Sequence, residues 1–187
     1  PGTGDTVWVT TDSVFLANLS SSTSYDFYVS ALCTVGPSVG SVSALDIFTQ
    51  CGIVTAPFSE NFDGWSGNIP PCWNGMKTSA TGLGWTWDGF GTSSSATGPS
   101  SGNSGDYYLY LETTGSTPSG PYFAELPEMD LTATPTAQLK YAYHMFGATI
   151  GALKVQVSTD QINWTTISTK TGQQQTSSSD PYLIETL

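Results

Sequence analysis

The chain has 187 residues with 15 Asp+Glu against 4 Lys+Arg, all four of them lysine, for a net charge of −11. Binding to phosphate needs clustered cations, so this balance excludes nucleic acid and anionic membrane surfaces as partners. Aromatic residues form 12% of the chain, enough to seed a core, while no apolar run reaches the roughly 20 residues of a membrane helix. Charged residues are only 10%, so polarity comes from Ser, Thr, Gly, Asn and Gln, the surface of many secreted β-proteins. The opening Pro1-Gly2-Thr3-Gly4 does not read as a signal peptide. The chain is therefore expected to be processed or to be an internal piece of something longer.

Helix signals are nearly absent, because Gly, Pro and β-branched residues interrupt every window of three-and-four apolar spacing. Strands are expected in chain order at Thr6–Thr10, Ser13–Leu16, Tyr25–Cys33 and Leu45–Thr49. The texture changes after Cys51 to Trp, Gly, Ser and longer loops, which places a domain boundary at about residues 50–56. The runs Tyr107–Glu112, Leu139–Gly147 and Gly151–Val155 are short, aromatic or β-branched and bounded by turn residues, as sandwich strands are. The expected fold class is all-β with two β-sandwich units.

Leu19, then Tyr25-Asp26-Phe27-Tyr28-Val29-Ser30-Ala31-Leu32-Cys33, then Ile47-Phe48-Thr49 resemble the C-terminal half of a fibronectin type III domain. The resemblance covers residues 1–50 and implies that the Tyr25 hydroxyl pins the turn before its strand to the backbone. It also implies that the strands completing this sandwich precede Pro1. Half a sandwich leaves an apolar face and an open edge.

Phe58-Ser59-Glu60-Asn61-Phe62-Asp63, Pro71-Cys72-Trp73, Trp85-Thr86-Trp87, Thr97-Gly98-Pro99 and the Tyr107–Glu112 and Tyr141–Gly147 runs resemble a MAM domain, a jelly-roll-like adhesive sandwich. They also resemble the related cleaved-adhesin domains of bacterial surface proteins. Gly is replaced in the Cys-Gly-Trp position, and Cys51 lies several residues before the Phe-Glu pair that the family's first cysteine usually adjoins. The resemblance assigns residues 51–187 to this unit, reads Phe58–Asp63 as its first strand, and places its closing strands beyond Leu187.

Three cysteines leave one unpaired. The resemblance implies a Cys51–Cys72 disulfide tying the domain entry to its second strand, with the partner of Cys33 upstream of Pro1; three reduced, buried thiols are the alternative. His144, the single histidine, reads as a packed, hydrogen-bonded core residue. No nucleophile triad, HExxH or phosphate loop is recognisable, and one His without paired Cys spacing argues against zinc. The chain is not expected to be an enzyme. Calcium is the ion the resemblance implies, in a structural role, at Glu60, Asn61, Asp63 and Asp106, weighed against solvated edge carboxylates.

Ser158-Thr159-Asp160-Gln161-Ile162-Asn163-Trp164 resembles an Asp-box hairpin in which Asp160 caps the turn and Trp164 packs beneath. Asp5-Thr6-Val7 and Asp12-Ser13-Val14 resemble the O-glycosylation sequon of Bacteroidota, on Thr6 and Ser13. Asn18 and Asn163 match the N-glycosylation acceptor, which matters only in a eukaryotic secretory route. Trp65, Trp73, Trp85, Trp87 and Phe90 are candidates for a sugar-stacking platform or for core anchors. The tandem, with Tyr25, Val29 and Cys33 spaced by three, resembles exported Bacteroidota proteins carried by type IX secretion and used in gliding-type attachment. The expected function is a non-catalytic structural or adhesive module, an internal fragment of a large secreted multidomain bacterial cell-surface adhesin. Its partners would be a surface glycan or protein ligand and neighbouring domains of the same chain. The alternative is a carbohydrate-binding appendage of a secreted polysaccharide-degrading enzyme or peptidase.

Overall fold

The computed structural model describes residues 6–31, 39–40, 44–65, 69, 72–76, 83–92, 94–113 and 120–187. The fold is all-β, of the sandwich class, and the described residues contain no helix. The chain divides into two compact units, Pro1–Ile53 and Val54–Leu187.

In the first unit β1 (Ser24–Phe27) pairs antiparallel with β4 (Leu45–Phe48), and β2 (Ser30–Ala31) with β3 (Val39–Gly40). The β1–β4 ladder is closed by the Thr49 N–H on the Thr23 carbonyl at 3.0 Å. The Ser20 N–H donates to Tyr25 Oη at 2.9 Å, a side chain pinning the turn before its own strand. None of the described residues in this unit is buried, and Trp8, Phe15 and Val29 stand well out into solvent. The strands expected at Thr6–Thr10 and Ser13–Leu16 are absent: both segments run free of any ladder, and alternation without a pairing partner does not make a strand. The expected Tyr25–Cys33 strand is broken at Tyr28–Val29, and Cys33 lies outside the described residues.

The second unit carries β5 (Val54–Thr55), β6 (Gly84–Gly89), β7 (Tyr107–Glu112), β8 (Met129–Asp130), β9 (Lys140–Tyr143), β10 (Ala152–Val157), β11 (Thr165–Thr171) and β12 (Leu183–Thr186). β5 pairs parallel with β8; β6–β7, β9–β12 and β10–β11 pair antiparallel. The alternation in β6 and β7 decides where the core lies. Trp85 and Trp87 stand opposite Leu111 and Leu109. Trp85, Trp87 and Leu109 pack against Trp65, Trp73 and Met76, the buried cluster that forms the heart of the unit. Trp65 meets Trp73 edge to face with centroids 5.0 Å apart, and Phe62 meets Trp65 likewise at 5.2 Å. Such pairs add to the burial of the rings themselves. On the opposite side Tyr108 is buried beside Tyr110, and burial pushes its hydroxyl up to about 12.

A polar tie joins β12 to β9 and β11. The Glu185 carboxylate accepts from the Tyr141 hydroxyl, from Ser168 Oγ at 2.9 Å and from Lys170 Nζ at 2.8 Å. Charge-assisted bonds of this kind are the stronger class, and they hold the Glu185 carboxyl below its ordinary range, Lys170 contributing most.

The expected first strand, Phe58–Asp63, is a turn instead. Glu60 Oε1 accepts the Phe62 N–H at 2.6 Å, Asn61 Oδ1 accepts the Asp63 N–H at 3.2 Å, and Phe62 has φ 69°. Short polar side chains that bond nearby amides compete with a ladder, and here they win. Cys72 likewise lies in a turn, with φ 81°, and not on a second strand. The expected Leu139–Gly147 strand stops at Tyr143 because the Met145 amide and carbonyl are taken by Gln175 and Gln174.

Candidate functional site

The aromatic residues singled out in the sequence separate by burial. Trp65 and Trp73 are in the core, and Trp85 and Trp87 lie against it, so four of the five candidate stacking residues are structural. Phe90 is the exception. It is 68% exposed and sits at φ 64°, a left-handed conformation that costs a bulky residue about 1–3 kcal/mol. Its N–H bonds the Asp106 carbonyl at 3.2 Å.

The acidic candidates form a corner around Asp63. Asn61 Nδ2 donates to Asp63 Oδ2 at 3.0 Å, and Asp63 Oδ1 accepts the amides of Asp106 and Tyr107 at 3.1 and 3.2 Å. The structure thus brings Glu60, Asn61 and Asp63 together and links them to the Asp106 backbone. These oxygens are engaged by N–H donors, and among the described residues no group of three or more His, Cys, Asp or Glu side chains is gathered as a cation site. Gly105 lies directly over the Asp63 carboxylate, where a Cβ would collide with it.

Cys51 and Cys72 are both disulfide-bonded, and Pro71 lies outside the described residues. Thr6 and Ser13 are exposed. In the turn between β10 and β11, Asp160 Oδ1 accepts the Ile162 and Asn163 amides at 2.9 and 2.7 Å, and those bonds, Asn163 first, hold its carboxyl far below the usual range. Trp164, expected beneath that turn, is 44% exposed.

His144 departs from expectation. Its ring stacks obliquely on Tyr182 with centroids 5.4 Å apart, yet neither buried nitrogen makes a hydrogen bond. Burial lowers its pKa, and the nearby Ser177 and Asp180 backbone and Asp180 charge only partly offset that.

Next to His144 the chain builds a cleft of about 300 Å3 that no sequence motif announced. One wall is the Pro99–Asn103 loop after β6, the other the Ser178–Tyr182 loop before β12. The walls are fixed to each other: Ser100 N–H donates to the Ser178 carbonyl at 2.9 Å and Tyr182 Oη to the Ser101 carbonyl at 3.0 Å. Buried Gln175 braces the second wall from below, accepting the Met145 amide at 2.7 Å and donating to the Tyr143 and Pro181 carbonyls. Asp180 Oδ2 accepts the Thr176 and Ser177 amides at 2.7 and 2.9 Å and the Thr176 hydroxyl at 3.0 Å. The Thr176 amide leads in holding this carboxyl below its ordinary range, so it stays ionised. Ser- and Gly-rich loops read only as turns in sequence, and their pairing across the chain carries no local signal.

The fold defines the chain as an all-β sandwich module. The MAM domain family (meprin/A5/mu) matches residues 66–179, and the chain belongs to that family. MAM domains are extracellular modules of the adhesion type, and no helix among the described residues is long and apolar enough to cross a membrane. No solved structure matches the chain.

Proposed function

We propose that the chain is a non-catalytic structural and adhesive module within a large secreted multidomain adhesin of a bacterial cell surface. The observation that carries this reading is the MAM match across residues 66–179. The Ser20–Tyr25 bond supports reading Pro1–Ile53 as part of a fibronectin type III-like sandwich, since a tyrosine corner pins that turn in the same way. The Bacteroidota origin, type IX export and gliding-type attachment rest on the resemblance of the tandem, and exposed Thr6 and Ser13 are accessible to the sugar transfer that this origin would bring. Calcium at the Glu60–Asp63 corner and Asp106 belongs to the same proposal, supported by the Asp63 link to the Asp106 backbone. A melting temperature unchanged by EGTA would remove it. Cys51 and Cys72 pair with each other in this reading, so a non-reducing peptide map should join their two peptides.

The test of function is surface plasmon resonance of the 187-residue chain over immobilised glycoprotein and protein surfaces. Saturable, reversible binding to at least one of them is expected; a response equal to that of an inert acidic protein on all of them would contradict the reading. The cleft beside Tyr182 favours a second reading, a carbohydrate-binding appendage of a secreted polysaccharide-degrading enzyme or peptidase.

A further inference from the structure

We propose that the cleft between the Pro99–Asn103 and Ser178–Tyr182 loops is a binding site for a neutral sugar, presented by Asp180, Asn103 and the serine hydroxyls of both walls. The proposal rests on the adhesive reading and names what that module would grip. Ser100, Ser101, Asn103 and Ser178 line the cleft, and their side chains make no hydrogen bond to other described residues. All three Asp180 bonds fall on Oδ2, leaving Oδ1 without a donor among the described residues. The cleft therefore offers groups that both donate and accept, plus one ionised acceptor. A sugar hydroxyl, which also donates and accepts, complements that set. No cation lines the cleft and the chain carries −11, so phosphate, sulfate and uronate ligands are disfavoured.

The frame is prepaid by the fold: the bonds Ser100–Ser178 and Tyr182–Ser101 hold the walls before any ligand arrives. The volume lies at the small end of ligand sites, which run from roughly 300 to 1,000 Å3, and suits a single ring of a longer glycan.

The test is a nitrogen-15 NMR titration of the 187-residue chain with glucose, galactose, mannose, N-acetylglucosamine and their disaccharides, with glucuronate as the anionic control. At least one neutral sugar should give saturable shifts confined to the amides of 100–103, 178–180 and 182, and glucuronate none. Asn103→Ala and Ser101→Ala change exposed side chains that line the cleft and should leave the remaining spectrum unchanged. Each should weaken the sugar about fivefold, the value of one lost hydrogen bond. The proposal is overturned by the absence of saturable shifts, by shifts centred elsewhere, by equal binding of glucuronate, or by wild-type affinity in both variants. Protein that still binds a surface with an unresponsive cleft would overturn this proposal and leave the adhesive reading standing. Protein that binds no surface at all would overturn both.

Discussion

At Gly98 the fold has no room for a methyl group. A Cβ there would lie 2.7 Å from His144 Cε1 and 2.8 Å from Ser178 Cα, and the second of these is backbone that cannot swing aside. Gly98→Ala should therefore cost about 1–3 kcal/mol, read as a lower denaturant midpoint at unchanged slope; an unchanged midpoint would contradict the packing. His144 beside it makes stability depend on pH. Burial disfavours its charged form in the folded chain, so its folded pKa is below the ordinary 6.5. Once pH falls below that ordinary value the unfolded chain binds the extra proton, and stability is lost as pH drops on through the folded value. His144→Gln should flatten the stability profile between about pH 7 and about pH 5, the window in which histidine titrates. An equal slope in both proteins would show that His144 does not titrate as described. The sequence marked His144 as packed but could not show its missing partners, because those depend on a loop, Ser177–Asp180, that is distant along the chain.

At the scale of elements, strand alternation was legible where it met a partner of the same length. β7 spans the expected Tyr107–Glu112 run residue for residue, and it pairs with β6 so that Leu111 stands opposite Trp85 and Leu109 opposite Trp87. The Trp65–Trp73–Met76 cluster behind them is the principal buried contact of the unit. Trp73→Ala should cost about 3–5 kcal/mol and expose the remaining indoles, seen as a red-shifted tryptophan emission at a lowered midpoint. Retention of the wild-type midpoint would place the core elsewhere. What the sequence misread were segments decided by side chains bonding their own backbone. Glu60 and Asn61 turn Phe58–Asp63 into a corner, and Gln175 ends β9 early by taking the Met145 amide. Period-two patterning holds no information about such competition. The cleft was illegible for a related reason: its walls are Ser- and Gly-rich loops whose register is set by Ser100 meeting Ser178.

At the scale of the whole molecule, charge and family point the same way. A chain of net charge −11 without arginine is rich in hydroxyls and carboxylates, and the family it belongs to consists of extracellular modules of the adhesion type. The fold class and the adhesive family could be read from the aromatic strands, while the cleft could not, because its walls meet only through loops far apart in the chain. The account's central claim is that this surface holds a partner without altering it. Beads coated with the 187-residue chain, passed under flow over a glycoprotein layer whose glycans and peptides are then weighed by mass spectrometry, test both halves at once. The account predicts retention above that of albumin-coated beads, release of intact beads on washing with competing ligand, and a layer unchanged in mass. Retention equal to albumin, or a layer that loses glycan or peptide mass in proportion to contact time, would contradict it.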